Sequence, residues 1–144
     1  MLYLDTSALV KKYFDEPHSA EVRSCISDHT AVATSTIARA EAAATFAKAV
    51  RLGTLTEIAA NSGHQLFVGE WKNYVRIRVT EALVARADGI AWTFRLRGYD
   101  AIHLAAALEW HDRIGEAVTV ATFDRDLWRA AKEAGLTPFP DSLL

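Results

Sequence analysis

Met1-Leu2-Tyr3-Leu4-Asp5-Thr6-Ser7-Ala8-Leu9-Val10 is a short apolar run that ends at an acid, passes two hydroxyls and resumes as an apolar sequence with helical spacing. The pattern predicts strand, tight turn and helix. In an open α/β sheet, ligands bind in the crevice outside the carboxyl ends of the strands, so Asp5 is expected at the mouth of a site. An acid that directly follows a buried strand calls for a chemical reason.

The same alternation continues downstream. Ala8 to Phe14 predicts a short helix closed by Asp15-Glu16-Pro17, because proline pushes its predecessor out of the helical region. Ser19 is expected to cap a second helix through about Ile26. Ala31-Val32-Ala33-Thr34-Ser35 has strand length, and Ser35 or Thr36 is expected to cap a helix from Ile37 to about Leu52 that carries Glu41 and stops at Gly53. Thr54 or Thr56 opens a helix toward Trp71, and Tyr74-Val75-Arg76-Ile77-Arg78-Val79 alternates with the period of an edge strand with one wet face.

Thr80 is expected to cap a helix through Arg86, with a second helical stretch to about Arg97. Gly98-Tyr99-Asp100 opens the most hydrophobic helix, Ala101 to Leu108, whose small residues suit close packing on a sheet. Ala117-Val118-Thr119-Val120-Ala121 reads as a buried strand and Thr122-Phe123-Asp124 as a turn. A helix from Leu127 to Ala134, stopped by Gly135, and a short edge strand at Thr137-Pro138-Phe139 complete the chain. Strands alternating with helices predict an α/β fold with a mostly parallel central sheet covered on both faces. At 144 residues, without repeat or linker, the chain is expected to form one domain over residues 1–144.

Composition narrows the functional classes. With 51% hydrophobic and 24% charged residues, a packed core is assured and disorder is excluded. The one cysteine, Cys25, cannot build a disulfide or a thiolate metal site alone, which fits a reducing cytoplasm. No apolar run approaches the roughly 18 residues of a spanning helix, and Asp5 and Lys11-Lys12 interrupt what would be a signal peptide's core, so a soluble, cytoplasmic protein without a membrane role is expected. A net charge of −2 argues against nucleic-acid binding through a general basic surface. Local clustering remains: Arg76, Arg78, Arg86, Arg95 and Arg97 crowd the segment before Tyr99-Asp100, either as solvated helix faces or as a surface for RNA or an acidic partner.

Asp5, Glu41, Asp100 and Asp124 all fall at carboxyl ends of strands or at starts of helices. If the central strands are adjacent and parallel, the four carboxylates converge, and such crowding demands a proton or a cation. Mg²⁺ or Mn²⁺ suits an all-oxygen set, whereas zinc would favour His or Cys. The chemistry that follows is hydrolysis at phosphorus, with Thr6, Ser7 and Thr122 as helpers that hold water or a phosphate oxygen. Each has a plainer reading: Asp100, Asp124 and the hydroxyls as helix caps, and Glu41 as a solvated acid near a helix N-terminus.

Leu4-Asp5-Thr6-Ser7-Ala8-Leu9, Ser35 to Glu41, Gly98-Tyr99-Asp100-Ala101-Ile102-His103-Leu104-Ala105-Ala106-Ala107 and Thr122-Phe123-Asp124-Arg125-Asp126-Leu127 resemble, in order, the acidic motifs of PIN-domain ribonucleases, and within them the VapC-type toxins of toxin–antitoxin pairs. The resemblance implies a PIN-like three-layer α/β/α fold and a Mg²⁺- or Mn²⁺-dependent endoribonuclease acting on RNA. It also implies a homodimer held inactive by a cognate antitoxin. Asp5, Glu41 and Asp100 match the three core acids and Asp124 the more variable fourth, with Asp126 as its rival.

His103, three residues beyond Asp100, reads as a satisfied buried histidine or as a hydrogen bonder behind the acids. Trp71, Trp92, Trp110 and Trp128 read as core or interface filler, or as platforms for RNA bases or an antitoxin segment. Two other functions fit parts of the pattern. One is a PIN scaffold that binds RNA or a partner without cutting. The other is a haloacid-dehalogenase-like phosphatase, which would want a second acid where Ser7 stands.

Overall fold

In the computed structural model, which describes residues 1–143, Leu2, Tyr3 and Leu4 are fully buried and form β1 (Leu2–Leu4). Alternation sends Leu2 and Leu4 into one apolar cluster and Tyr3 into another on the opposite face. A strand buried on both faces belongs in the middle of a parallel sheet. Asp5, extended at φ −76° and ψ 171°, then caps α1 (Thr6–Leu9), which a tight helical turn (Val10–Lys12) continues.

The remaining elements are α2 (Ser19–Ser27), β2 (Val32–Ser35), α3 (Ala38–Arg51), α4 (Glu57–Glu70), a tight turn at Trp71–Asn73 and β3 (Val75–Ile77). They are followed by α5 (Glu81–Phe94), α6 (Gly98–Ile114), β4 (Thr119–Ala121), α7 (Arg125–Glu133) and β5 (Thr137–Phe139). The strand order is β3-β2-β1-β4-β5 and every pairing is parallel. Tyr3 opposes Ala33 on one side and Val120 on the other. All carboxyl ends therefore share one edge of the sheet.

One core joins Tyr3, Ile77 and Val120 to residues of α5, α6 and α7, including Leu83, Leu104 and Leu127. The other joins Leu2, Leu4 and Ala121 to Leu9, Ala42, Phe46 and Phe67 of α1, α3 and α4. The three-layer α/β/α architecture is thus the expected one. No helix among the described residues is long and apolar enough to cross a membrane.

Local differences from the sequence expectation have local causes. Asp5 is a better cap than any residue after it, so α1 begins at Thr6 and not at Ala8, and it gives way to the tight turn before Phe14. Ser19 is the first helical residue of α2 and not its cap: its Oγ accepts from Glu16 N–H and donates to the Phe14 carbonyl, while His18 takes a left-handed φ of 72°. The start of α3 has no side-chain cap; Ser35 Oγ accepts from Ile37 N–H at 3.4 Å and Thr36 Oγ1 from Val79 N–H at 3.4 Å. The two helical stretches expected between Thr80 and Arg97 are the single helix α5, which runs through Gly89 without a break. Asp124 starts α7 at Arg125, ahead of Leu127.

Two glycines make opposite demands. A Cβ at Gly63 of α4 would stand 2.8 Å from the Tyr13 carbonyl oxygen and 3.0 Å from the Phe46 ring, so this glycine permits the close approach of α4 to the segment after α1. Gly63→Ala is expected to destabilise the fold by about 1–3 kcal/mol, the usual range for overpacking. Gly89→Ala, where a methyl meets nothing within 4 Å, is expected to stabilise it by up to about 1 kcal/mol through helix propensity. Urea unfolding of both variants checks the pair, and equal effects of the same sign would contradict the packing.

Candidate active site at the carboxyl edge of the sheet

Asp5 stands where β1 ends beside β4, its N–H donating to the Ala121 carbonyl at 3.1 Å. Its Oδ1 accepts from Ser7 Oγ at 2.7 Å and from Ala8 N–H at 3.0 Å, and its Oδ2 accepts from Thr122 Oγ1 at 2.8 Å. The two hydroxyls also accept in turn. Ser7 Oγ takes the Phe123 N–H at 2.9 Å and Thr122 Oγ1 the Asp124 N–H at 3.1 Å. Ser7 and Thr122 therefore tie the loop after β4 to the acid at the end of β1. Burial raises the pKa of Asp5, against the lowering effects of His103 and of its three donors.

Glu41 reaches the same edge from the first turns of α3. Its Oε1 accepts from Thr6 Oγ1 at 2.7 Å and from His103 Nε2 at 2.7 Å. An ionised carboxylate only accepts, so Nε2 carries the hydrogen; in the neutral ring, Nδ1 then accepts from the Tyr3 hydroxyl at 2.8 Å. Burial keeps the Tyr3 phenol protonated, with its pKa raised further by the nearby charges of Asp5 and Glu41. For Glu41, burial pushes upward, but the hydrogen bond and charge of His103, with Thr6, leave its pKa below the ordinary value. His103, from α6, is thus a buried positioning group behind the acid.

Asp100, in the first turn of α6, and Asp124, the cap of α7, are joined by one side chain. Arg97 donates from Nε to Asp100 Oδ2 at 2.9 Å and from Nη2 to Asp124 Oδ2 at 2.8 Å. Asp124 uses its other oxygen to accept the Leu127 N–H at 2.9 Å. Burial raises the pKa of Asp100, opposed by its hydrogen bond from Arg97. Asp126 lies one step into α7 on its exposed side, paired with Arg129 at 3.4 Å, and acts on Arg97 through its charge and not through a hydrogen bond. A cleft of about 620 Å³ opens beside the acids, lined by Thr6, Ser7, Lys11, Glu41, Lys48, Arg97 and Phe123.

The fold brings Asp5, Glu41, Asp100 and Asp124 to one edge with the helpers Ser7 and Thr122. Capping and site geometry coexist at Asp124, where they were alternatives in the sequence, and at Asp5 as well. Tyr3 and Arg97 join them without having been singled out beside the acids, and Thr6, expected to hold water or a phosphate oxygen, donates to Glu41 instead. Their signals were Arg97 three residues before Asp100 and Tyr3 on the strand face opposite Leu2 and Leu4. The arginine cluster disperses: Arg97 enters the site, Arg86 pairs with Asp112 at 3.0 Å, and Arg76 and Arg78 lie on and just beyond β3.

A donor set made only of oxygens suits a hard divalent cation. In this conformation no three His, Cys, Asp or Glu side chains among the described residues are placed to hold one ion. The Arg97 guanidinium spans Asp100 and Asp124 instead, so the acids already draw a positive charge between them.

Comparison with known proteins agrees with the fold. The family model described as PIN domain matches residues 2–133. Ribonuclease VapC45 and Ribonuclease VapC49, from two strains of Mycobacterium tuberculosis, are each 31% identical over 143 residues, covering 99% of this chain and 97% of theirs. Among solved structures, a toxin-antitoxin complex from Klebsiella pneumoniae aligns with a TM-score of 0.66 at 16% identity over 100% of both chains. FitAcB from Neisseria gonorrhoeae aligns at 0.65 with 21% identity over 98% of each chain. At these identities the structural matches speak for the fold alone.

The shifted carboxyls give a pH signature. Raised folded-state values at Asp5 and Asp100 mean that the fold holds those protons more tightly than the unfolded chain. Their contribution to stability is fully present below the ordinary aspartate value, 3.8, and is lost as pH rises through the raised values. Glu41 works in the opposite sense, its contribution lost as pH falls through a lowered value. In metal-free protein, Asp5→Asn is expected to gain stability relative to wild type as pH rises from about 4 to 7. Urea midpoints measured across that range report the gap, and a gap that does not change with pH would contradict the assignment.

Proposed function

The chain belongs to the PIN domain family, and from that premise we propose that it is a metal-dependent endoribonuclease, the toxin of a type II toxin–antitoxin pair. The observation that carries the proposal is the convergence of Asp5, Glu41, Asp100 and Asp124 on one sheet edge beside an open cleft. The names of the relatives, both ribonucleases, support the reaction class. The toxin-antitoxin complex among the structural matches supports a cognate antitoxin as partner. We also propose a homodimer acting in the cytoplasm.

Asp5, Glu41, Asp100 and Asp124 would hold Mg²⁺ or Mn²⁺, directly or through water. A bound divalent ion supplies Lewis acidity, making hydroxide available from water at neutral pH and offsetting charge on the phosphate. The chain's own groups prepare the rest. Ser7 and Thr122 orient both oxygens of Asp5. Thr6 and His103 fix Oε1 of Glu41, so that the carboxylates are positioned before substrate arrives. Lys48 and Arg97 line the cleft, where their charge favours an RNA phosphate. Ser7 occupies the position at which a haloacid-dehalogenase-like phosphatase would place its second acid, which disfavours that alternative.

Wild type is expected to cleave structured RNA with Mg²⁺ or Mn²⁺ and to be silent with EDTA. Asp5→Asn should lose at least about a hundredfold, since even a partner behind a metal ligand is worth about 10–100-fold. Equal activity in both proteins, or none in either with metal supplied and antitoxin absent, would sink the catalytic reading. Calorimetric titration of the wild type with Mn²⁺ separates a nuclease from a scaffold that only binds. A scaffold that does not cut has no chemical use for the ion.

A further inference from the structure

The wet face of β3 remains unexplained by the cleft. Strand alternation places Ile77 in the core against Leu83 and Leu104, and Arg76 and Arg78 on the other side, in line with Tyr74. There they meet Trp71, half-buried at the end of α4, and together with Thr36 they line a second hollow of about 430 Å³. From α3, the exposed Arg39 lays its guanidinium 5.8 Å from the centre of the Trp71 ring. Phe67 and Tyr74 hold the indole from inside, at 5.5 Å and 6.4 Å between ring centres.

The charge at this hollow is uncompensated. None of Arg39, Arg76 and Arg78 makes an ion pair among the described residues. Glu70, the acid next to Trp71 in sequence, is held by Lys12 at 2.6 Å and by the Tyr13 hydroxyl at 2.8 Å. On a chain of net charge −2, three unpaired arginines around one indole form a local positive site. Arginines on an edge strand also discourage strand pairing with other chains. Edge protection, however, requires no tryptophan beside them and no third arginine brought from another helix.

Position ties the hollow to the acids. Thr36 N–H continues the β2–β3 ladder by donating to the Ile77 carbonyl at 3.0 Å. Arg78 therefore leaves the sheet at the same carboxyl edge as Asp5. Two strand spacings separate β3 from β1, about 10 Å, a distance that a few nucleotides of single strand bridge. Arg39 lies only two residues before Glu41 on the same helix.

We propose that Trp71, Arg39, Arg76 and Arg78 form a subsite for single-stranded RNA flanking the cleaved bond. A base packs against the Trp71 indole, and neighbouring phosphates are held by Arg76 and Arg78. Aromatic stacking beside guanidinium groups is the usual sequence-tolerant way to hold a single strand. The subsite rests on the ribonuclease reading above, and the test keeps the two apart.

The measurement is fluorescence anisotropy of a labelled single-stranded RNA 12-mer of mixed sequence, titrated with the full chain in EDTA so that nothing is cut, at several salt concentrations. Arg76→Gln/Arg78→Gln is expected to bind about tenfold more weakly. Its plot of log Kd against log salt should be flatter by about 1.4, for two lost contacts to a single strand. Trp71→Leu should lose at least about fivefold, the low end for one stacked base, and Trp71→Phe should recover most of it. Arg51→Gln, which removes a charge elsewhere on the surface, should bind as wild type does. With Mn²⁺ restored, the arginine variants should raise KM more than they lower kcat.

Thermal unfolding confirms that each variant is folded. Wild type that binds and cuts RNA while the double arginine variant binds within twofold of it overturns the subsite and leaves the nuclease standing. Wild type that neither binds nor cuts RNA removes both. Unchanged RNA binding with lost affinity for an Asp/Glu-rich 15-residue peptide assigns the patch to a protein partner and overturns the proposal. A change in mass by light scattering would mark the patch as a contact between copies and would overturn the proposal as well.

Discussion

The Asp5 carboxylate, 4% exposed at the end of β1, meets a hydroxyl from α1, a hydroxyl from the end of β4 and a backbone N–H of its own helix. Each of these donors does a second task. Ser7 and Thr122 bind the chain after β4, and the Ala8 N–H is one of the unpaired groups at the start of α1. A buried carboxylate without donors would be costly. Here its demand for hydrogen bonds is what holds the β1 and β4 ends in register with the helices that follow them.

The other acids are restrained by different means, because each arrives on a different element. Glu41 comes from α3 and is held by Thr6 and by a relay that crosses the sheet, from the Tyr3 hydroxyl through both nitrogens of His103. Asp100 and Asp124 come from the starts of α6 and α7 and share Arg97. The side chains that hold the acids are chiefly neutral hydroxyls and an imidazole, and the one permanent cation among them is 78% exposed. Hydroxyl groups orient a carboxylate without neutralising it, so its attraction for an added cation is kept. Arg97, screened by solvent, contributes less to stability than its two ion pairs suggest, and an exposed arm is the easiest to displace.

How much was legible depended on range. Caps and stops within one turn of their helices were readable: Thr56 caps α4, Thr80 caps α5, and Gly53 and Gly135 carry positive φ values at helix ends. Asp5 was visible as an acid directly after a strand. Where a local signal competed with another, the sequence was ambiguous: Ser19 serves as a helix residue whose hydroxyl bonds backward, and Gly89 is simply tolerated within α5. The choice between Asp124 and Asp126 was open in the sequence because both lie near the start of one helix. In the fold Asp124 shares Arg97 with Asp100, whereas Asp126 lies beside Arg129 on the exposed side of α7.

By itself the sequence determined that strands alternate with helices and that acids stand at their junctions, because strand and helix periods and their caps are written within a few residues. The four acidic motifs in order also marked the family. Only the tertiary structure decided the strand order, and with it which acids become neighbours, since Asp5 and Thr122 lie 117 positions apart along the chain and hydrogen bond directly. It alone recruited Tyr3 and Arg97 around those acids, and Arg39 around Trp71. Contacts of that kind depend on two faces meeting across a sheet, and no local pattern of residues encodes which faces meet.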